Sequence, residues 1–143
     1  MNWTIKTFDE LTSKETYEIL RSRAEVFVKE QRISYVDPDG VDYKSWHVFA
    51  TENDKVCAYL RAFKDGDDTI KIGRVLTLIH GKGTGTQLMK YAISELKAKT
   101  GCKKIIMDAQ SHAISFYQRL GFTITSEEYL EEGIPHVDME LTL

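Results

Sequence analysis

The run His80-Gly81-Lys82-Gly83-Thr84-Gly85-Thr86 lies between a β-branched stretch (Ile70, Ile72, Val75) and a helix-like stretch from Thr86 to Lys99. Glycine at every second position lets a backbone turn tightly with positive φ and leaves its N–H groups uncovered. At a helix start, those N–H groups face an anion along the favourable end of the helix dipole. The pattern points to a phosphate cradle. A P-loop needs lysine directly after its last glycine, and Thr86 stands there instead. A dinucleotide loop needs Gly-x-Gly-x-x-Gly at the opening of its fold, with an acid about 20 residues on. Here the third glycine comes one residue early, and Asp108 is only a loose match for the acid. A bare strand-to-helix turn would carry the entropic cost of these glycines to no purpose.

The elements that must hold this loop can be read from periodicity. Trp3 to Phe8 alternates as a strand. Ser13 caps a helix on which Tyr17, Leu20, Ala24, Phe27 and Val28 recur at helical spacing, ending near Gln31. Asp37-Pro38-Asp39-Gly40 is turn chemistry. Residues 46–51 and 56–64 read as strands around an Asn53-Asp54 hairpin, and 69–78 as a third β run. After the loop, Leu88, Ala92 and Leu96 share a helical face that Gly101 ends. Residues 104–108 form a short buried strand. Ile114, Tyr117 and Leu120 share a second helical face, stopped by Gly121. Residues 122–125 and 136–143 close the chain as strands, joined by an acidic loop over 127–133. The order β-α-βββ-α-β-α-ββ predicts an α/β fold of the α+β kind. It is one domain over residues 1–143, with a mixed, mostly antiparallel sheet and helices on both faces.

The chain has 143 residues, enough for one domain with a sizeable core. Its net charge of −3 gives no basic field for nucleic acid. No apolar stretch is long enough for a membrane span, and the N-terminus lacks a signal-peptide apolar block. Cys57 and Cys102 have no metal-type spacing and fit a reducing cytoplasm, so no metal is expected.

Two segments carry a family resemblance. Gly73-Arg74-Val75 through Gly83-x-Gly85-Thr86-Gln87-Leu88-Met89 resembles the acetyl-CoA motif of the GNAT N-acetyltransferases, Arg/Gln-x-x-Gly-x-Gly/Ala. Ala113-Ile114-Ser115-Phe116-Tyr117-Gln118-Arg119-Leu120-Gly121-Phe122 resembles that superfamily's second signature, Ala-x-x-Phe-Tyr-x-x-x-Gly-Phe. Across nearly the whole chain the resemblance narrows to the ElaA-type subgroup. It runs through Arg23 to Gln31, Asp39-Gly40-x-Asp42, His47, Ala58 to Arg61, Ile72 to Val75, Asp108 to Gln110 and Gly133 to Met139. Two positions depart from it: His80 stands where the motif has Arg or Gln, and Gln110 where many relatives have Asn.

The resemblance implies a GNAT-like domain that moves an acetyl group from acetyl-CoA to a primary amine; a grip of Arg61 and Arg74 on a substrate carboxylate would make that amine a small metabolite such as an amino acid. Transfer would be direct, in a ternary complex, because no cysteine has a base beside it to carry the acyl group. It places the pyrophosphate of coenzyme A on His80, Gly81, Lys82, Gly83, Thr84, Gly85 and Thr86. The pantetheine arm would lie along Leu76, Thr77 and Leu78, with backbone groups of Leu76 and Leu78 facing it. Gln110, Ser115 and Tyr117 complete the cofactor side. Tyr117 is the general acid by position, a phenol of pKa ~10 that stays protonated at neutral pH. It also shares a core face with Ile114 and Leu120. Glu30, Asp42, His47 and His136 are candidates for the base, each with a purely structural reading beside it. Arg61 and Arg74 sit in apolar β runs, where arginine is expensive unless paired. They either pair with Glu30, Asp42, Asp108 or Asp138, or, together with Asp42, form the acceptor site by gripping a substrate carboxylate. Partners are a small-molecule amine, with no nucleic acid and no membrane; a homodimer is compatible. A catalytically silent acyl-CoA-binding sensor and a nucleotide-binding regulatory domain are the alternatives.

Overall fold

Thr12, not Ser13, caps the first helix. Its Oγ1 accepts from the Glu15 N–H at 3.0 Å, and its own N–H donates to Glu15 Oε1 at 2.8 Å, a reciprocal capping box. The computed structural model describes residues 1–143. Its elements are β1 (Asn2–Thr7), α1 (Ser13–Arg23), β2 (Trp46–Glu52), β3 (Lys55–Lys64) and β4 (Thr69–Thr77). They continue with α2 (Thr84–Thr100), β5 (Lys104–Gln110), α3 (Ile114–Arg119), β6 (Thr123–Ile124), β7 (Tyr129–Glu131) and β8 (Ile134–Thr142). No helix is long and apolar enough to cross a membrane.

The expected order holds with one addition. Part of the acidic 127–133 stretch is the strand β7, paired to β8 through Glu131 opposite Ile134. The intervening Glu132 and Gly133 both take positive φ (51° and 74°), the two-residue turn that matches strand twist. One sheet runs β1-β2-β3-β4-β5-β8-β6, with β7 on β8. Only β4 and β5 are parallel, and α2 is the crossover that such a pair requires.

Helices cover both faces. Leu88, Met89, Ala92 and Leu96 of α2, with Tyr117 of α3, pack on Val48, Ala58, Leu60, Ile70, Ile72 and Ile105. On the other face Ile19, Val26 and Phe27 pack on Phe49, Tyr59 and Leu76. The inward stripe of α1 differs from the expected one. Tyr17 and Val28 are exposed at 69% and 46%, while Ile19, Ser22, Arg23, Val26 and Phe27 are buried. A stripe interrupted by serine and arginine reads as polar, so the apolar pattern one step around the helix looked stronger. Past Arg23 the helix widens into a π-helical stretch, Ala24–Glu30, with the Gln31 N–H reaching back to Val26 O at 3.0 Å.

Arg23 has no solvent exposure. Its Nε donates to Asp37 Oδ2 at 2.8 Å, its Nη2 to the Asp37 carbonyl at 2.8 Å, and its Nη1 to Asp42 Oδ1 at 2.7 Å. These bonds pin the irregular 32–45 segment onto α1 and the sheet. Arg23→Met should destabilise the protein by about 3–5 kcal/mol in urea unfolding, because it strands buried carboxylates without a counter-charge.

Candidate functional site

The loop and the strands beside it form a wedge. β4 pairs with β5 only from Thr69–Lys104 to Ile72–Met107. Beyond that point β4 stays on β3, and β5 stays on β8 as far as Gln110 opposite His136. The two strands therefore diverge and leave facing edges unpaired. The Leu78 N–H donates to Cys57 O at 2.8 Å, so Leu78 points its amide at β3. Strand backbone groups alternate, so the groups of Leu76 also face β3 and those of Thr77 face the wedge. This corrects the expectation that Leu76 and Leu78 present theirs. Leu76 instead buries its side chain under α1.

The glycine loop meets the open end of the wedge. Gly81 and Gly83 take φ of 76° and 72°, so both need the left-handed freedom of glycine. Gly83 is the N-cap of α2, and Gly85 already lies in its first turn. The N–H groups of Thr84, Gly85 and Thr86 have no carbonyl within the helix to bond, and the Gln87 N–H is the first that does, to Gly83 O. Gly85 serves proximity rather than backbone freedom. A Cβ there would touch Phe116 at 3.4 Å and Thr77 at 4.0 Å. An alanine just fits, in keeping with the Gly/Ala alternative of the motif, and anything larger meets the ring. The two sequence signatures thus touch, because Phe116 belongs to the second. His80, Lys82 and Ser115 are exposed; Ser115 sits on the outer side of α3.

A cavity of about 490 Å³ opens from the wedge. Its walls come from Phe27, Gln31, Ile33 and Tyr35, from Arg61 and Phe63, from Lys71 to Val75, from Met107 to Gln110, and from His112, Tyr117, Glu131, Glu132 and His136. Tyr117 is 6% exposed and lies edge-on between Phe116 and Phe122; burial pushes its phenol pKa well up. His136 places Nδ1 2.7 Å from Ile134 O and Nε2 3.4 Å from Glu131 Oε2. A carbonyl can only accept, so Nδ1 carries the hydrogen, and in the neutral ring Nε2 keeps its lone pair. The Gln31 and Gln110 amides bond each other across the cavity at 2.9 and 3.3 Å.

The other base candidates lie elsewhere. Glu30 is exposed outside the cavity wall. His47 is 2% exposed, with Nδ1 2.7 Å from Tyr59 Oη and Nε2 2.9 Å from Asp42 O. Both its nitrogens are engaged, and burial lowers its pKa, so it has no free site for a substrate proton.

Arg61 and Arg74 take the pairing alternative. Arg61 grips Asp39 with both Nη atoms (2.7 and 2.8 Å) and reaches Asp42 at 3.1 Å. Arg74 Nε donates to Asp37 Oδ1 at 3.0 Å, and its Nη2 to the Asp37 carbonyl at 3.0 Å. The Nη pair of Arg61 and the Nε–Nη2 pair of Arg74 are occupied, so a substrate carboxylate cannot grip either pair bidentately without displacing Asp39 or Asp37. Asp42 is itself held by Arg23 and does not line this cavity. Of the expected partners, Glu30, Asp108 and Asp138 are not used: Asp108 pairs with Lys71 and Asp138 accepts from Tyr129. The partners Asp37 and Asp39 were hidden in what reads as an ordinary turn.

The family model described as an acetyltransferase (GNAT) domain matches residues 12–143. Protein ElaA of Escherichia coli is 35% identical over 145 residues, spanning 97% of this chain and 95% of that protein. Its crystal structure superposes with a TM-score of 0.93 at 33% identity, covering 99% of each chain. A UPF0039 protein of Schizosaccharomyces pombe is 35% identical over 147 residues, all of this chain and 98% of its own. The crystal structure of an acyl-CoA N-acyltransferase from Pseudomonas aeruginosa gives a TM-score of 0.90 at 35% identity, covering 99% of this chain and all of that one.

Two outcomes follow from the geometry. Gly85→Ala should leave the unfolding midpoint unchanged or slightly raised, since alanine favours a helix over glycine by about 1 kcal/mol. Gly85→Val should lower it by forcing Phe116 aside. The second outcome concerns acid. The hydrogen-bonded Arg61 holds the Asp39 carboxyl at about 2, below its ordinary 3.8. Burial works against the charge of Asp42, but Arg23 and Arg61 lower its pKa overall. Folded values below the unfolded ones mean that this stability is complete above about pH 4 and is lost as pH falls toward 2. Urea unfolding across that window should show the fall, and Asp39→Asn should flatten it.

Proposed function

This chain belongs to the GNAT acetyltransferase family, in its ElaA-like group, and from that premise we propose that it transfers an acetyl group from acetyl-CoA directly to a small primary amine. The observation that carries the reading is the pairing of two unfilled backbone surfaces: the first-turn N–H groups of α2 and the wedge between β4 and β5. A pyrophosphate suits the first and an extended amide-bearing arm the second. Both meet at Gly85, Thr77 and Phe116, beside Tyr117.

Bound acetyl-CoA would supply a thioester, whose acyl carbon an amine can attack and whose sulfur departs as the thiol of coenzyme A. The chain supplies the rest. Thr84, Gly85 and Thr86 donate N–H groups to phosphate oxygens, and Thr77 offers its backbone groups to the arm. Tyr117 keeps its proton at Oη through the neutral range, because burial raises its pKa, and so serves as the acid a departing thiolate needs. His136 Nε2, 3.4 Å from Glu131 Oε2, takes the amine proton.

The acceptor is a small metabolite such as an amino acid. The cavity is of small-molecule size. Arg61 Nε, on a cavity-lining side chain 5% exposed, is the one buried side-chain nitrogen or oxygen without a partner. One carboxylate oxygen would satisfy that donor without displacing Asp39.

Thiol release from acetyl-CoA over a panel of amines and amino acids tests the reading. Tyr117→Phe should lower kcat by about a hundredfold or more while leaving coenzyme A affinity within a few-fold. The wild-type rate should rise with pH as the amine loses its proton, with no falling limb from Tyr117 before strongly alkaline pH. Coenzyme A binding without thiol release on any amine would favour a silent acyl-CoA sensor.

A further inference from the structure

Arg74 holds a left-handed backbone with φ of 53°, while Gly73 beside it does not. Glycine is the residue that takes this conformation freely. An L side chain there is disfavoured about tenfold. The position therefore keeps an arginine against its backbone preference, and the side chain shows why. The Asp37 carboxylate and carbonyl accept from Arg74 at 3.0 Å each, Asp39 Oδ2 accepts at 3.4 Å, and the guanidinium lies 4.7 Å from the centre of the Tyr35 ring. Tyr35 also donates to Asp37 Oδ1 at 2.7 Å. Asp37 is in turn fixed by the fully buried Arg23, and Asp39 by Arg61, which sits opposite Gly73.

The strand changes course at this residue. Tyr59 pairs with Leu76 but Arg61 pairs with Gly73, so β4 carries one residue more than β3 between these pairs. Pairing with β5 ends at Ile72, immediately before. The faces swap as well: Ile72 packs toward α2, and Leu76 toward α1.

We propose that Arg74, clamped by Tyr35, Asp37 and Asp39, is the positioning residue that fixes the β4 bulge and so holds the wedge open for the extended arm of the acyl donor. This rests on the reading that the wedge binds coenzyme A. Arg74 acts through its own backbone and the strand after it, not by touching substrate. The irregular 32–45 segment is then a brace for the donor site as well as a wall of the acceptor cavity.

Calorimetric titration of the full chain with coenzyme A, and with its nucleotide part adenosine 3′-phosphate 5′-diphosphate, tests this. The nucleotide lacks the arm, so it reports the glycine loop alone. Arg74→Ala should weaken coenzyme A binding about tenfold, the cost of an L side chain in this conformation without its clamp. Nucleotide affinity should stay within about twofold. Arg74→Gly should keep coenzyme A within about threefold of wild type, because glycine adopts the bulge unaided. Tyr35→Leu, which keeps Arg74 and removes the ring and hydroxyl, should weaken coenzyme A and not the nucleotide; it serves if Arg74→Ala does not fold. Equal coenzyme A affinities for the alanine and glycine variants would overturn the clamp, as would parallel loss of both ligands. A wild-type chain that binds neither ligand would overturn the coenzyme A reading and the clamp with it.

Discussion

A buried guanidinium between two aspartates is the constraint on which the rest of this protein depends. Arg23 comes from α1, Asp37 and Asp42 from the irregular segment after it, and through them Arg61 and Arg74 of the sheet join the same network. Charges removed from water are expensive, and their attraction repays that cost only with good geometry. Here burial opposes the charge of Arg23, and hydrogen bonding to Asp42 with the nearby Tyr59 and Asp37 outweighs it, raising its pKa. The value of such a network lies in geometry: one helix, one loop and two strands have a single way to satisfy it.

That geometry passes to the chemistry through β4. The strand leaves β5 where its bulge begins, and the exposed edge then leads to Thr77 and the start of α2. Packing on the opposite side of the sheet completes the arrangement, since Phe116 closes on Gly85 while Tyr117, its neighbour, faces the cavity. Tyr117 is core and cavity wall at once. Its burial in the apolar cluster is the same property that keeps its proton in place.

Much of this was legible in the sequence. Alternation and helical spacing give the strand and helix order, because a one-sided apolar pattern states its own period. The spacing of Gly81, Gly83 and Gly85 separates the loop from P-loops and dinucleotide loops. What escaped are features in which polar residues do the work of a core. The inward stripe of α1 holds Ser22 and Arg23, so periodicity selected Tyr17 and Val28 instead. Asp37 and Asp39 flank a proline and precede a glycine, so turn chemistry explained them before their pairing could be asked about. The π-helical stretch at Ala24–Glu30 and the left-handed Arg74 have no local signature, since each is imposed by tertiary contacts. The β7 strand was hidden by its charge, although Glu132-Gly133 is turn chemistry in plain view.

The central claim is that the acyl donor lies across the start of α2 and along the free edge of β4. Amide hydrogen exchange of the full chain, with and without coenzyme A, reads it most directly. The amides of Thr77, Thr84, Gly85 and Thr86 should exchange quickly in the free protein and become protected when coenzyme A is added. Unchanged exchange at those amides, with protection instead near the smaller cavity bounded by Phe8, Leu20 and Tyr43, would contradict it.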